Sequence, residues 1–319
     1  MRKKWQDLRI VFMGTPEFAV ASLEALLQAG ANVVGVVTAV DKAAGRGLQL
    51  NQSAVKKYAA AKKIPLLQPP NLKSEEFQAN LAKWKADVQV VVAFRMLPEA
   101  VWNMPPMGTI NVHASLLPQY RGAAPINWAV INGEPETGVT TFLLQHAIDT
   151  GNILLQSEVP IGPKTTAGEL HDTLMVEGAK LLVKTLEQLG DGTLTPTPQK
   201  VEDPSKLRHA PKIETDTCRI DWFQPVEKIY NQIRGLSPYP TAFTQMEMRL
   251  VKIFEAEMEI VSPSKLPDPG SYMTNGKFLK FTAIDGYIVV KDLQLDGKKR
   301  MKVDEFLRGF RPRLRSAGD

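Results

Sequence analysis

Cysteine is nearly absent from this chain of 319 residues, and so is any pattern of metal ligands. Cys218 is its single cysteine, which excludes an internal disulfide framework and suits a reducing compartment. The four histidines are scattered and form no H-x-x-x-H pair, so the sequence offers no zinc-binding spacing. These absences predict a protein without a metal site.

Long apolar runs are missing as well. No segment approaches the roughly 20 apolar residues of a membrane span. The apolar run behind the basic N-terminus, Ile10 to Met13, is too short for the core of a signal peptide. With 44% hydrophobic and 23% charged residues, the composition is typical of a soluble globular protein. We expect a cytoplasmic protein with no membrane association and room for two domains.

The first 190 residues alternate strand and helix patterns but lack a dinucleotide fingerprint. Apolar strands at Leu8–Met13 and Val88–Phe94 and an amphipathic helix at Ala167–Leu189 indicate an α/β fold. We predict a doubly wound, mostly parallel, Rossmann-like sheet, whose ligand binds beyond the carboxyl ends of the strands. Gly14 alone follows the first strand, where G-x-G-x-x-G carries further glycines, so an NAD enzyme is disfavoured.

A change of composition separates a second domain from the first. Gly190–Gln199 (GDGTLTPTPQ) is rich in Gly, Thr and Pro, as linkers commonly are. Beyond it, short alternating runs are separated by turn signals such as Asn275–Gly276, a pattern that predicts a small β-barrel. We therefore place the first domain at residues 1–190, a linker at 191–209 and the barrel domain at 210–319.

The net charge of +5 is concentrated at the C-terminus. Residues 297–319 hold eight Lys and Arg against three acidic residues, and Lys298, Lys299 and Arg300 form a basic run. A concentrated basic segment is a candidate phosphate contact. The alternative is a solvated charged face or a mobile tail, and charge alone does not separate the two.

The most informative segment runs from Asn111 to Pro125, NVHASLLPQYRGAAP. Strand residues two apart point to the same face, so Asn111 and His113 project together if residues 109–113 are extended. Asp149 follows a second apolar segment, 138–144, just before a turn. An amide, an imidazole and a carboxylate at strand ends suit proton transfer and oxyanion stabilisation.

This arrangement resembles the 10-formyltetrahydrofolate-dependent formyltransferases. Asn111-x-His113, the segment SLLPQYRGAAP behind it and the later Asp149 carry the resemblance. It extends along nearly the whole chain to the methionyl-tRNA formyltransferases, through QPPNLKSEEF, APKIETDTCRIDW and IRGLSPYPTAF.

That resemblance implies an enzyme of translation initiation. The formyl group of 10-formyltetrahydrofolate, a co-substrate, would pass to the α-amine of initiator methionyl-tRNA without a metal. The C-terminal barrel would be OB-fold-like and bind tRNA, and the protein would be a monomer.

The resemblance also assigns roles to the three polar side chains. Asn111 would donate an amide N–H to the oxyanion of the tetrahedral intermediate. His113 would stabilise the same oxyanion and carry a proton to the departing folate nitrogen. Asp149 would orient or charge His113 and order the water that relays protons from the amine.

Two segments match the folate-binding positions of the family. In the first, Ser115–Pro118, apolar side chains would form one wall of the folate pocket, and backbone groups would be free to hydrogen-bond the edge of the pteridine ring. In the second, family members commonly carry Tyr-Gly where this chain has Phe94-Arg95-Met96, so the bulky Arg95 is expected to point away from the folate. The predicted folate-binding residues are Ser115, Leu116, Leu117 and Pro118, and Phe94, Arg95, Met96 and Leu97.

Gly45-Arg46-Gly47 predicts a tRNA contact. Glycines flanking an arginine make a loop that can present a guanidinium to a phosphate or a base edge. In the methionyl-tRNA formyltransferases that this chain resembles, the matching loop inserts into the acceptor end of the initiator tRNA. This chain has Ala43 where proline is usual and Gln49 where lysine is frequent, but Lys42 and Arg46 remain. We expect both to contact tRNA; the alternative is an ordinary surface loop.

Two other functions stay open from the sequence. A formyltransferase acting on an amino sugar nucleotide would use the same three catalytic residues, and residues 126–134 resemble those enzymes equally well. An RNA-binding protein with an idle catalytic domain is the other candidate, although the presence of Asn111, His113 and Asp149 argues against it.

Overall fold

The computed structural model describes residues 4–44, 49–261 and 266–310. Within these ranges the strands are β1 Ile10–Gly14, β2 Val33–Val37, β3 Lys42–Ala44, β4 Gln49–Asn51, β5 Leu66–Leu67, β6 Val88–Val92, β7 Thr109–His113, β8 Arg121–Gly122, β9 Glu136–Leu143, β10 Ile153–Pro160, β11 His209–Ala210, β12 Ala242–Met246, β13 Arg249–Ile260, β14 Tyr272–Thr274, β15 Leu279–Thr282, β16 Gly286–Leu295 and β17 Met301–Lys302.

The helices alternate with the strands of the first half of the chain. They are α1 Glu17–Gln28, α2 Ala54–Ala61, α3 Glu75–Lys83, α4 Glu99–Trp102, α5 Pro125–Ile131, α6 Ala167–Asp191, α7 Thr215–Cys218, α8 Val226–Gly235 and α9 Val303–Gly309, with 3-10 turns at Trp5–Asp7 and Pro204–Lys206. Among the described residues, none of these helices has the length and apolarity needed to cross a membrane.

A seven-stranded sheet organises the first half in the order β10-β9-β7-β6-β1-β2-β5. β1 pairs in parallel with β2 and β6, β6 pairs in parallel with β7, and β9 runs antiparallel to β7. Every residue of β1 and β6 is buried, as expected for central strands covered on both faces. The predicted Rossmann-like, mostly parallel α/β sheet is confirmed.

Local signals in the sequence explain where the covering helices begin. Ser53 accepts a hydrogen bond from Lys56 N at 3.0 Å and starts α2. Ser74 accepts from Phe77 N at 3.3 Å and starts α3, whose first turn carries two glutamates. Side-chain caps satisfy amide groups that the helix itself leaves unpaired. The helices then bury their apolar faces on the sheet, as Phe77 and Leu81 do.

The second half of the chain builds a separate apolar core. A six-stranded antiparallel sheet has the order β12-β13-β16-β15-β14, and β17 pairs with β16. The long strand β13 carries register irregularities between Ile253 and Ala256, which allow a sheet to curve. Trp222 stacks on Phe281 at 4.9 Å between ring centroids in this core, which also includes Ile229 of α8. The small C-terminal β domain predicted from the sequence is confirmed.

The two compact units are discontinuous in sequence. Unit 1 comprises Met1–Gly122, Thr137–Pro160 and His171–His209, and unit 2 comprises Ala123–Glu136, Ile161–Leu170 and Ala210–Asp319. Helix α5 therefore belongs with α8 in unit 2. Asn127 of α5 donates its side-chain amide to the Gly235 carbonyl of α8 at 2.8 Å. The assignment of a separate function to each domain stays a prediction.

Candidate active site

Asn111 and His113 lie on β7, at the carboxyl end of the parallel part of the sheet. Residues 109–113 are extended, as predicted, so the two side chains share a face. Asn111 lies opposite Val91 of β6 and is half buried. Its side-chain amide makes no hydrogen bond to another described residue, so both its donor and its acceptor are available to a ligand.

His113 is buried, with 8% of its surface exposed, and its two ring nitrogens have different surroundings. Nε2 lies 2.9 Å from the backbone carbonyl oxygen of Tyr120. A carbonyl can only accept, so Nε2 must carry the hydrogen of this bond. In the neutral ring, Nδ1 then holds the lone pair, and it faces Asp149 Oδ2 at 4.0 Å. Nδ1 is therefore the nitrogen that can take up a proton.

Asp149 reaches His113 from a loop, not from a neighbouring strand end. Because β9 runs antiparallel to β7, the last residue of β9, Leu143, pairs with Ile110 and lies away from His113. The chain then doubles back through residues 144–152. Asp149 has φ +53°, in the left-handed region, and its Oδ2 accepts a hydrogen bond from Gly122 N at 3.0 Å. Strain of this kind persists only where surrounding contacts impose it.

Two side chains that were not predicted from the sequence hold this loop in place: Gln199 contacts it directly, and Arg121 holds Gln199. Gln199 donates its amide to the carbonyl oxygens of Asp149 and Gly151, each at 2.9 Å. Its own Oε1 accepts from Arg121 Nε at 3.1 Å and Nη2 at 2.6 Å. Burial lowers the pKa of the Arg121 guanidinium, and the negative charge of Asp149 acts in the opposite direction. No sequence signal marks a glutamine in a linker-like segment for this role.

The segment Ser115–Pro118 is tied to the sheet through its backbone. Thr140 Oγ1 donates to the Ser115 carbonyl at 2.6 Å and accepts from Leu117 N at 3.1 Å. Gln156 Nε2 donates to the Leu117 carbonyl at 3.0 Å. The expectation that backbone groups of this segment are free to bind a ligand is therefore wrong for Leu117.

Side-chain exposure distinguishes the residues within the same segment. Ser115 is fully buried and donates its hydroxyl to the Gln119 carbonyl at 2.7 Å, and Leu117 is buried too. Leu116 and Pro118 are half buried and remain accessible to a ligand. The folate-binding role of the four residues stays a prediction, and the structure favours Leu116 and Pro118 within it.

The other predicted folate segment follows β6, beside β7. Phe94 is half buried, Leu97 is buried in the core, and Met96 is 74% exposed. The Arg95 guanidinium donates to the backbone carbonyls of Pro69 and Pro70, the latter from Nη1 at 3.0 Å. The long side chain is therefore held by a neighbouring loop, and the folate contacts of this segment stay a prediction.

The residues predicted to contact tRNA from the first domain are only partly described. Lys42 is exposed at the start of β3, which pairs with β4 in a two-stranded antiparallel ladder. Arg46 lies outside the described residues, as does the rest of 45–48.

The three basic residues of the C-terminal run have different surroundings. Lys298 is exposed, and Lys299 Nζ lies 3.7 Å from Glu305 Oε1. Arg300 makes a two-pronged hydrogen-bonded pair with the buried Asp292, at 3.0 and 2.9 Å, and its guanidinium lies 4.2 Å from the centroid of the Phe254 ring. Arg300 therefore has a structural partner, whereas the Lys298 side chain faces solvent. Residues 311–319 of the basic tail lie outside the described part of the chain.

Within the described residues, no cluster of three or more His, Cys, Asp or Glu side chains could hold a metal ion. What the site does offer is a free amide, a buried imidazole with one available nitrogen, and a fixed carboxylate. Such a set can stabilise a developing oxyanion and move protons. The fold and the site together define a group-transfer enzyme of the acyl-transfer type.

Comparison with known proteins assigns the family. Residues 8–186 match the formyl transferase family, and residues 212–311 match the formyl transferase C-terminal domain. The chain belongs to the formyl transferase family.

Its relatives narrow the class further. The chain is 54% identical over 319 residues to a methionyl-tRNA formyltransferase of Bacteroides fragilis, with 96% of each protein covered. It is 48% identical over 309 residues to one of Flavobacterium johnsoniae, covering 96% of this chain and 97% of that protein. The resemblance to the methionyl-tRNA formyltransferases is confirmed.

Solved structures at lower identity share the fold. An N-formyltransferase from Helicobacter canadensis, in complex with folinic acid and dTDP-3-aminofucose, matches with a TM-score of 0.64 and 19% identity. The match covers 92% of this chain and 100% of that one. At 19% identity, this similarity shows that the two proteins share a fold.

Proposed function

We propose that this enzyme transfers the formyl group of 10-formyltetrahydrofolate to the α-amino group of methionine on initiator methionyl-tRNA. The observation that carries the proposal is the 54% identity, over 96% of both chains, to a protein named methionyl-tRNA formyltransferase. The arrangement of Asn111, His113 and Asp149 supplies the chemistry that such a transfer needs.

The first need of the reaction is to stabilise the tetrahedral intermediate. The neutral amine attacks the formyl carbon, and the carbonyl oxygen becomes an oxyanion. The Asn111 amide, which has no partner among the described residues, can donate an N–H to that oxygen. One donor of this kind typically contributes about 10²–10³ in rate.

The second need is a path for the proton. In the reaction one proton leaves the amine, the C–N bond to the folate breaks, and the departing folate nitrogen gains a proton. His113 Nδ1 and Asp149 Oδ2 are 4.0 Å apart, too far for a direct hydrogen bond but suited to a water or an amine N–H between them. In this proposal the proton that leaves the amine passes through that bridge to the lone pair of His113 Nδ1, and the Asp149 carboxylate stabilises the resulting imidazolium. His113 then gives that proton to the departing folate nitrogen.

Folate binding is assigned to the surface beside this trio. Leu116 and Pro118 have accessible apolar surface after β7, and Phe94 and Met96 follow the adjacent strand β6. Because β6 and β7 are parallel neighbours, both segments leave the sheet at the same edge. A Helicobacter canadensis N-formyltransferase of the same fold holds folinic acid, which supports a folate as the formyl carrier.

The tRNA is assigned to basic residues of both halves of the chain. Lys42 and Lys298 are exposed cations, and Arg46 joins them from the sequence. Lys299 and Arg300 belong to the proposed surface by position, although Arg300 also pairs with Asp292. The proposal includes a monomeric, cytoplasmic enzyme that works without a metal.

An amino sugar nucleotide is the alternative acceptor. A neighbour of the same fold contains dTDP-3-aminofucose, but it is 19% identical, whereas the tRNA enzymes are about 50% identical over nearly the whole chain. The identities therefore favour the tRNA acceptor.

The test is a comparison of kcat/KM for the two acceptors with 10-formyltetrahydrofolate as donor. We expect efficient transfer to initiator methionyl-tRNA and none to the amino sugar nucleotide. Transfer to the sugar alone would overturn the proposal for the acceptor while leaving the chemistry of Asn111, His113 and Asp149 in place. Transfer to neither acceptor would overturn both.

A further inference from the structure

We infer that Gln199 is a positioning residue of the catalytic site, acting through the backbone of the Asp149 loop. This inference rests on the proposed function, since it concerns the placement of a side chain that the proposal makes catalytic. Gln199 lies in the segment that sequence composition marks as a linker, yet it packs within unit 1.

The contacts of Gln199 are all directed at the site. Its amide group spans the carbonyls of Asp149 and Gly151 at 2.9 Å each, so it holds the backbone on both sides of Thr150. Its carbonyl oxygen is in turn fixed by two N–H groups of Arg121. Both hydrogens of the Gln199 amide group and its carbonyl oxygen are engaged in hydrogen bonds, so the amide group has one orientation.

The segment that carries Gln199 is anchored to the sheet next to the same loop. Thr197 and Ile153 exchange two backbone hydrogen bonds, each 2.8 Å long, at the start of β10. Gln199 follows two residues later. The glutamine is therefore presented by a backbone that is already fixed to the strand following the Asp149 loop.

The loop needs such support because its conformation is unfavourable by itself. Asp149 has φ +53°, a left-handed conformation that residues other than glycine adopt rarely, although aspartate adopts it more readily than most, and it persists where neighbouring contacts impose it. The Asp149 carboxylate itself accepts a hydrogen bond from Gly122 N. Without Gln199 the loop would keep that bond and the contacts of Thr150 with Gln145 and Ala147, but it would lose the two hydrogen bonds at the Asp149 and Gly151 carbonyls. We expect the distance from Asp149 to His113 to be less tightly fixed as a result.

The first test replaces Gln199 by methionine, which has similar length but neither donates nor accepts like an amide. Gln232 provides a matched control, because its amide also donates to two backbone carbonyls, those of Thr217 and Arg219, at 2.8 and 3.1 Å. Steady-state formylation and thermal unfolding are measured for Gln199→Met and Gln232→Met.

We expect Gln199→Met to lower kcat by about 10- to 100-fold, because small displacements of a catalytic group are costly, and to leave KM for 10-formyltetrahydrofolate within about twofold. Gln232→Met should lower the unfolding temperature by a similar amount and leave kcat within about twofold. Equal kcat in Gln199→Met and wild type, or equal losses in the two variants, would overturn the inference.

The second test asks whether Gln199 acts through Asp149. Gln199→Met is introduced into Asp149→Asn, since asparagine tolerates the left-handed backbone and keeps an acceptor for Gly122 N. Single-turnover rates are measured with enzyme in excess. If Gln199 works by placing the carboxylate, its replacement should cost less than about threefold in this background. The same loss in both backgrounds would show an independent role and overturn the inference.

The outcomes separate this inference from the proposed function. An Asp149→Asn variant as active as the wild type would contradict the catalytic role of Asp149, whatever Gln199→Met does. An impaired Asp149→Asn variant beside a fully active Gln199→Met would contradict only the positioning role. If Asp149→Asn has no measurable turnover, the comparison of Gln199→Met with Gln232→Met decides.

Discussion

At the scale of single residues, the hydrogen bonds already made within the protein determine what each polar group can do. His113 has one nitrogen fixed by the Tyr120 carbonyl, so only Nδ1 can exchange a proton with Asp149 or a bound substrate. Asn111 has no internal partner among the described residues, and its amide stays available. This difference explains why the two neighbours on β7 have different proposed roles.

Replacing Asn111 by alanine removes the proposed oxyanion donor. We expect kcat for formylation to fall by about 10²–10³, with little change in the dissociation constant of the folate. Rapid-quench kinetics with labelled formyl donor measures the chemical step. Asn103→Ala, which removes an exposed amide just after α4, serves as the control and should keep wild-type kcat. A fully active Asn111→Ala variant would contradict the assignment.

Arg300 should matter more for folding than its neighbour Lys298. Its guanidinium pairs with the buried Asp292 and is 47% exposed, and Lys302 Nζ shares the same carboxylate at 3.4 Å. We therefore expect Arg300→Ala to lower the free energy of unfolding by about 1 kcal/mol. Lys298→Ala should leave it unchanged, as measured by urea titration. Equal stability of the two variants would contradict the structural role of Arg300.

At the scale of elements, the loop between β9 and β10 decides whether the site is complete. Loop residues 144–152 carry the carboxylate back towards His113 because β9 ends beside the opposite end of β7. Gly151 allows this path, since a Cβ there would lie 1.6 Å from the Leu143 carbonyl oxygen. A side chain at this position would collide with backbone that cannot move without disturbing β9.

Gly151→Ala should therefore damage both stability and catalysis. We expect the free energy of unfolding to fall by about 2 kcal/mol or more, and formylation to drop sharply because Asp149 is displaced. Calorimetry and steady-state kinetics are the measurements. Gly309→Ala is the matched control, because a Cβ at Gly309 meets no atom of the described part of the chain within 4 Å. A stable and active Gly151→Ala variant would show that the loop is not restrained as described.

Asp41 ties the start of β3 to α2 and to the segment after β5, and this contact depends on pH. Hydrogen bonds from Lys56 and from Gln68, the latter 2.8 Å long, hold the pKa of Asp41 below its ordinary value of 3.8. A carboxyl group whose pKa is lowered in the folded state stabilises the fold at pH values above its ordinary pKa. This contribution to stability is lost as the pH falls through the pKa of the folded state.

The Asp41→Asn variant should accordingly unfold at a lower temperature than the wild type at pH 7. The difference should shrink as the pH is lowered below 3.8. Thermal unfolding followed by circular dichroism across this range provides the test, with Asp296→Asn as a control on an exposed carboxylate. A difference that stays constant or grows on acidification would contradict the contact.

Elements were easier to predict from the sequence than the connections between them. The apolar runs of β1 and β6 identify buried parallel strands, and a period of two puts Asn111 and His113 on one face. The antiparallel direction of β9 has no local signal, because strand direction depends on pairing with distant residues. The same reason hides the contact of Gln199, which is 50 residues from Asp149.

At the scale of the whole molecule, chain order and packing differ. Residues 123–136 and 161–170 precede the predicted linker but pack in unit 2 with the C-terminal part of the chain. Sequence composition marks the change to β structure near residue 210, yet it gives no sign that α5 packs on α8. A contact such as Asn127 to Gly235 spans 108 residues, beyond the reach of any local pattern.

Electrostatic contact with tRNA is a property of the whole surface and should appear in salt dependence. Arg46→Ala should weaken tRNA binding, leave folate binding unchanged, and reduce the slope of log K against log salt by about 1. Filter binding at several salt concentrations measures the slope. Lys180→Ala, which removes an exposed cation paired with Glu177 on α6, should change neither quantity. An unchanged slope in Arg46→Ala would exclude a phosphate contact at this position.

The activity proposed for this chain is formylation of the α-amine of methionine on initiator methionyl-tRNA. The most direct measurement is mass spectrometry of the amino acid released from that tRNA after incubation with the enzyme and 10-formyltetrahydrofolate. We expect N-formylmethionine, formed by the wild type and strongly reduced in Asn111→Ala. Recovery of unmodified methionine, under conditions in which the same enzyme formylates an amino sugar nucleotide, would contradict it.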